Sequence, residues 1–156
     1  MPTLVQDAMS TLVLTIGPTH TLRQAAALMS ARRVGAAVVL DPDTSGVAIL
    51  TERDVLNAVG AGLDPEQETA QAHTTTDIVF ASPRWTLSEA AQAMARGGFR
   101  HLIVLDQREP VGVMSVRDIV RCWSGIPDRH DEQRAEPADR RAGLAAAPGA
   151  PRTPTR

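Results

Sequence analysis

The sequence predicts an α+β fold of two tandem β-α-β-β-α repeats, packed through their sheets with pseudo-two-fold symmetry. Three observations carry that expectation: self-similarity at a fixed offset, the same order of helical and strand-like apolar patterns in each copy, and copies too short to be self-sufficient. Residues 13 to 29 overlie residues 78 to 94 at an offset of 65, pairing Pro18 with Pro83, Leu22 with Leu87, Ala25 with Ala90 and Met29 with Met94. Residues 34 to 41 overlie 99 to 106 at the same offset, and residues 48 to 56 overlie 112 to 120 at an offset of 64. Repetition of this kind marks copies of one supersecondary unit. A unit of about 50 to 60 residues buries too little apolar surface alone, so its open sheet face is expected to pack on the other copy.

Each copy opens with a short β-rich segment ending at Pro18 or Pro83, because proline cannot donate to a ladder. A helix follows. Leu22, Ala25, Ala26 and Met29 recur at helical spacing behind the candidate N-cap Thr21, and Leu87, Ala90, Ala91 and Met94 do so behind Thr86. Glu89 completes a capping box in the second copy, where the first has Gln24. Two aliphatic runs then read as buried strands joined by turns, "AAVVL" and "VAIL" in copy one, "LIVL" and "VGVM" in copy two. The second helix of each copy starts at "TERDVL" or "SVRDIV" and ends near Gly60 or Trp123.

These patterns divide the chain into copy one at 1-62, a linker at 63-76, copy two at 77-125 and a tail at 126-156. The tail is rich in Ala, Pro, Arg and acids with one isolated Leu144, too little apolar surface to offset ordering, and is expected to be disordered. Hydrophobic residues make up 43% of the chain, yet aromatics only 3%, so the core must be aliphatic. The net charge of −2 gives no general attraction to nucleic acid or anionic lipid, and neither partner is expected. All 16 basic residues are arginines, which excludes lysine chemistry and supplies planar forks for carboxylates and phosphates. One cysteine, no apolar run of membrane length and no signal-peptide pattern make the cytoplasm the expected compartment.

The doubled phrase is where chemistry is expected. Thr51 with Asp54, and Ser115 with Asp118, have the spacing of a capping box, and on spacing alone that explanation suffices. The same place in both copies also carries an arginine just before the acid, Arg53 or Arg117, which a cap does not need. Each motif follows a strand and opens a helix, where free N–H groups and the helix dipole favour an anion. Hydroxyl, arginine and aspartate together suit the sugar-phosphate of a nucleotide.

On these residues, and on "VQDAMS", "VGAAVVLD" and "FRHLIVLD", residues 3 to 124 resemble a pair of CBS domains (named for cystathionine β-synthase), the tandem called a Bateman module. The resemblance implies two clefts between facing copies, which take AMP, ADP, ATP or S-adenosylmethionine as regulatory ligands with no required cofactor. It implies that Asp54 and Asp118 hold ribose hydroxyls, that Thr51 and Ser115 help hold ribose or phosphate, and that Arg53 and Arg117 meet phosphate. Val34, Gly35, Ala36, Phe99, Arg100 and His101, with Ile16 and Ala81, would border the adenine. Three features depart from the family pattern. Ala48 replaces a glycine, so the backbone there should approach a ligand less closely; Ala37 and Leu102 stand where a proline is common; and "AQAHTTTD" keeps little of "VQDAMS".

Elsewhere, His20, His73 and His130 lack metal-ligand spacing and are expected at the surface, and no metal site is expected. Cys122 is expected to be a buried or half-buried structural thiol, Met9, Met29, Met94 and Met114 core, and Trp85 and Trp123 cover for a dimer surface. The expected function is a stand-alone, non-enzymatic nucleotide-sensing module, a homodimer with a possible further protein partner. The alternative is a ligand-free interaction protein in which both motifs only cap helices.

Overall fold

A computed structural model describes residues 1–75 and 78–126. Copy one comprises α1 (Val5–Ala8), β1 (Thr15–Ile16), α2 (Leu22–Arg32), β2 (Ala36–Asp41), β3 (Gly46–Thr51) and α3 (Glu52–Gly60). Copy two repeats the order with α4 (Ala70–His73), β4 (Phe80–Ala81), α5 (Leu87–Gly97), β5 (His101–Asp106), β6 (Glu109–Ser115) and α6 (Val116–Ser124). Each three-stranded sheet pairs its first two strands parallel and its last two antiparallel, with Ile16 opposite Val39 in one and Ala81 opposite Val104 in the other.

The aliphatic strands have two buried faces. Ala37 and Val39 of β2 pack on Leu22, Ala25 and Met29 of α2, while the alternate Ala36 and Val38 meet Ile49 and Ile103 between the sheets. In copy two, Leu102 and Val104 pack on Leu87, Ala90 and Met94, and Ile103 faces the other sheet. Side chains alternate along a strand, so a run buried on both sides must be apolar throughout, as "AAVVL" and "LIVL" are. Proline at position 37 or 102 would sit mid-ladder; alanine and leucine there keep the N–H.

Each helical turn that precedes β1 or β4 docks on the other copy. Val5 is fully buried in the core of copy two, and Ala70 is fully buried in the core of copy one. The backbone bonds that hold them are symmetric: Val5 N–H donates to the Trp85 carbonyl and Ala70 N–H to that of His20, both at 2.7 Å. Ser10 likewise exchanges two bonds with Val113, and Thr75 two with Ile49. Thus "AQAHTT" keeps the backbone role of "VQDAMS" at the same offset of 65 with different side chains. The stretch read as a linker therefore contains α4, and the expected boundary at 76 and 77 falls on residues outside those described. So do residues 127 to 156 and His130.

Several expectations are corrected. Cys122 is exposed in the last turn of α6, with exposed Trp123 and Ser124 beside it. Trp85 is half-buried and packs against the core of copy two. His20 and His73 are partnered: Gly17 N–H donates to His20 Nδ1 at 3.0 Å, and His73 Nε2 lies 2.7 Å from Glu68. Met9 is half-buried, unlike the three buried methionines Met29, Met94 and Met114.

The glycine at 112 serves the packing of the two copies. A Cβ there would lie 2.5 Å from Met9 Sδ and 3.0 Å from the Ser10 carbonyl oxygen, so its missing side chain admits the crossing segment from copy one. At the offset of 65 the residue corresponding to Met9 is the smaller Thr74, which explains why copy one tolerates Ala48. Gly112→Val should cost about 1–3 kcal/mol in urea unfolding. Gly60→Ala, whose added Cβ meets nothing within 4 Å, should not destabilise.

Candidate functional site

The four longer helices all begin with a filled capping box, on Thr21 with Gln24, Thr51 with Asp54, Thr86 with Glu89 and Ser115 with Asp118. Glutamine serves as well as glutamate, so the box does not set the doubled motif apart. What sets it apart is position. Glu52 N–H donates to the Gly35 carbonyl at 2.9 Å, and Val116 N–H to the Arg100 carbonyl at 3.0 Å, which fixes each second helix start against the lead of its own copy's central strand.

A cleft of about 710 Å³ opens at the start of α6 and is lined from both copies. Copy two contributes Arg100, His101, Ser115, Arg117, Asp118 and Arg121. Copy one contributes Val34, Gly35 and Ala36, the α2 end at Arg33, Glu52, and the crossing segment at Ser10, Leu12 and Leu14. The exchange of bonds between Ser10 and Val113 carries that segment past β6 and into the wall.

Asp118 is the one buried charged residue among those described. Its Oδ2 accepts from the Ser115 N–H and hydroxyl, both at 2.7 Å, and its Oδ1 accepts from Arg121 Nη1 at 3.1 Å. A carboxylate offers roughly four lone-pair directions, so one further donor, such as a sugar hydroxyl, can be accepted at Oδ1. Asp54 is built the same way, with Oδ2 taking the Thr51 N–H at 2.8 Å and the hydroxyl at 2.9 Å.

His101 faces Glu52 across Gly35. A Cβ on Gly35 would lie 3.1 Å from Glu52 Oε1 and 3.2 Å from His101 Nε2, so a side chain there would press both groups slightly outward. Burial pushes the His101 imidazole below its ordinary pKa; Glu52 and Asp118 pull upward, and Arg117 and Arg100 add to the lowering.

Of the residues expected at the site, this cleft gathers Val34, Gly35, Ala36, Arg100, His101, Ser115, Arg117 and Asp118. Thr51, Arg53 and Asp54 lie outside its lining, at the start of α3. Ile16 and Ala81 are buried in the separate cores of their copies, and Phe99 turns back over Gly97 onto the core of copy two. Sequence reading missed Arg33, Arg121, Glu52 and the segment from Ser10 to Leu14. Arg121 had a signal, three residues after Asp118 on the same helix face. Glu52 had none, since its counterpart at the offset of 64 is Val116.

The CBS domain family model matches residues 5–61 and again 71–125. The chain belongs to the CBS-domain family. The CBS domain-containing protein YhcV of Bacillus subtilis is 34% identical over 118 residues, 74% of this chain and 81% of that protein. The crystal structure of the CBS-domain containing protein ATU1752 from Agrobacterium tumefaciens superposes with a TM-score of 0.72 at 30% identity, covering 79% of this chain and 95% of that one. The CBS domain protein PAE2072 from Pyrobaculum aerophilum, complexed with AMP, superposes with a TM-score of 0.68 at 28% identity, covering 74% and 89%. The two matches to the family model begin at α1 and just inside α4, so the helical turns exchanged between copies belong to the CBS unit. No helix among the described residues is long and apolar enough to cross a membrane, and no group of acidic, His or Cys residues among them is arranged to hold a metal ion.

The lowered His101 pKa fixes the sign of a pH effect. The unfolded chain takes up this proton near the ordinary value of about 6.5, while the folded chain resists until lower pH. This contribution is therefore complete above that value and is lost as pH falls through the window below it. Urea midpoints should drop more between about pH 7 and pH 5 in the parent than in His101→Gln.

Proposed function

We propose that this CBS pair is a regulatory module that binds an adenosine nucleotide in the Asp118 cleft, and that it is not an enzyme. The observation that carries the reading is the convergence, in one cleft shared by both copies, of a buried carboxylate at a helix start with Arg100 and Arg117. The carboxylate suits a ribose diol, the helix start and guanidinium groups suit phosphate, and the Leu12, Leu14 and Val34 wall suits a base. The relative complexed with AMP, 28% identical, supports the ligand class. Because the walls come from both copies, a bound ligand has different contacts in different arrangements of the copies. That difference is what a regulatory output requires.

The reading includes a homodimer. Leu56 and Val59 on α3 are 64% and 51% exposed, and Val120 and Trp123 on α6 are 53% and 65% exposed. Leu56 corresponds to Val120, and Val59 to Trp123, at the offset of 64. Two corresponding apolar faces on a pseudo-symmetric chain suit a second copy meeting it isologously.

Two outcomes are expected. AMP, ADP or ATP should raise the melting temperature of the parent, by the equivalent of about 2.7 kcal/mol at a hundredfold excess over Kd. Asp118→Ala should abolish that rise, whereas Glu89→Ala, which removes the acid of a capping box away from the cleft, should lower the melting temperature slightly and keep it. No rise with any adenosine ligand in the parent would leave the motif as a helix cap and the protein as an interaction module. For the dimer, the double variant Leu56→Arg with Trp123→Arg should sediment as a monomer with unchanged far-UV circular dichroism; a monomeric parent sinks the homodimer.

A further inference from the structure

Arg33 ends α2 in the left-handed region, at φ 54°. Its counterpart at the offset of 65 is Gly98, at φ 69°, and α6 also closes on a glycine, Gly125, at φ 67°. Any residue with a Cβ is disfavoured in this conformation, and glycine is the usual solution. Copy one therefore keeps an arginine where its own sister copy has the easier residue, and that arginine lines the Asp118 cleft. Strain retained at a ligand-facing position points toward a function for the side chain.

The charges of the cleft suggest which function. Four arginines, Arg33, Arg100, Arg117 and Arg121, face two carboxylates, Glu52 and Asp118, and Arg121 is bound to Asp118. Arg100 and Arg117 flank the start of α6 and come from copy two, where a first phosphate would lie. Arg33 reaches the cleft from copy one, and the cleft keeps two positive charges beyond its carboxylates when His101 is neutral. A monophosphate can be met by the copy-two arginines; a longer phosphate chain can also engage Arg33.

We propose that Arg33 is a specificity-determining residue that contacts the outer phosphate of a nucleoside di- or triphosphate, making the Asp118 cleft favour such ligands over the monophosphate. The proposal rests on the nucleotide reading above. Titration calorimetry of the full chain with AMP, ADP and ATP tests it in the parent, Arg33→Gly and Arg33→Lys. The parent should bind ADP or ATP more tightly than AMP. Arg33→Gly should weaken ADP and ATP by about tenfold and AMP by less than about twofold, and Arg33→Lys should keep most of the preference. Arg33→Gly should melt no lower than the parent, since glycine is at ease in that backbone, so lost affinity is not lost folding. Equal weakening of all three ligands, or none, overturns the role of Arg33 while leaving nucleotide binding intact. A parent that binds none of the three overturns both.

Discussion

Val38, Ile49 and Ile103 meet between the two sheets, and the rest of the molecule depends on that contact. Each of these side chains, fully buried, contributes on the order of 1.5–3 kcal/mol. A single copy would leave them in water. Burying them fixes how the sheets face each other, and this fixes which strand leads and helix starts share a cleft. The site is a by-product of closing the core: the contact that excludes water from Ile103 also brings Gly35 of one copy within reach of His101 of the other.

The exchange of helical turns reinforces the same constraint. Val5 completes the core of copy two and Ala70 that of copy one, so neither core is whole without residues from the other. After Val5 has docked, the chain must return to copy one, and it does so along β6 through Ser10. That return path supplies Leu12 and Leu14 to the cleft. Gly112 belongs to this same economy of space, since a side chain there would block the path.

Much of this was legible in the chain. The offset of 65 gave the copies, the aliphatic runs gave strands buried on both faces, and Thr21 and Thr86 marked their helices. Asp118, Arg100 and His101 were reached through the doubled motif and the strand leads. The exchanged turns were not legible, because α4 offers a single buried alanine and no apolar stripe, and its docking depends on backbone bonds that any sequence can make. Phe99 turns back onto its own copy because strand position fixes where a residue starts but not which way a ring points, and Gly97 leaves space behind it. Cys122 was expected to be at least half-buried, but the last turn of α6 has no cover among the described residues.

The sequence by itself determined the repeat, the order of elements, the aliphatic core and the pairing of hydroxyl with carboxylate at each second helix start. These depend on local periodicity and on chemistry within a few residues, which the chain states directly. The tertiary structure decided which halves of the two motifs share a cleft, that Glu52 and Arg33 of copy one face Asp118 of copy two, and that the two copies are not equivalent there. Such neighbours are distant in sequence and are chosen by how two sheets bury their open faces, a global balance of packing that no local pattern encodes.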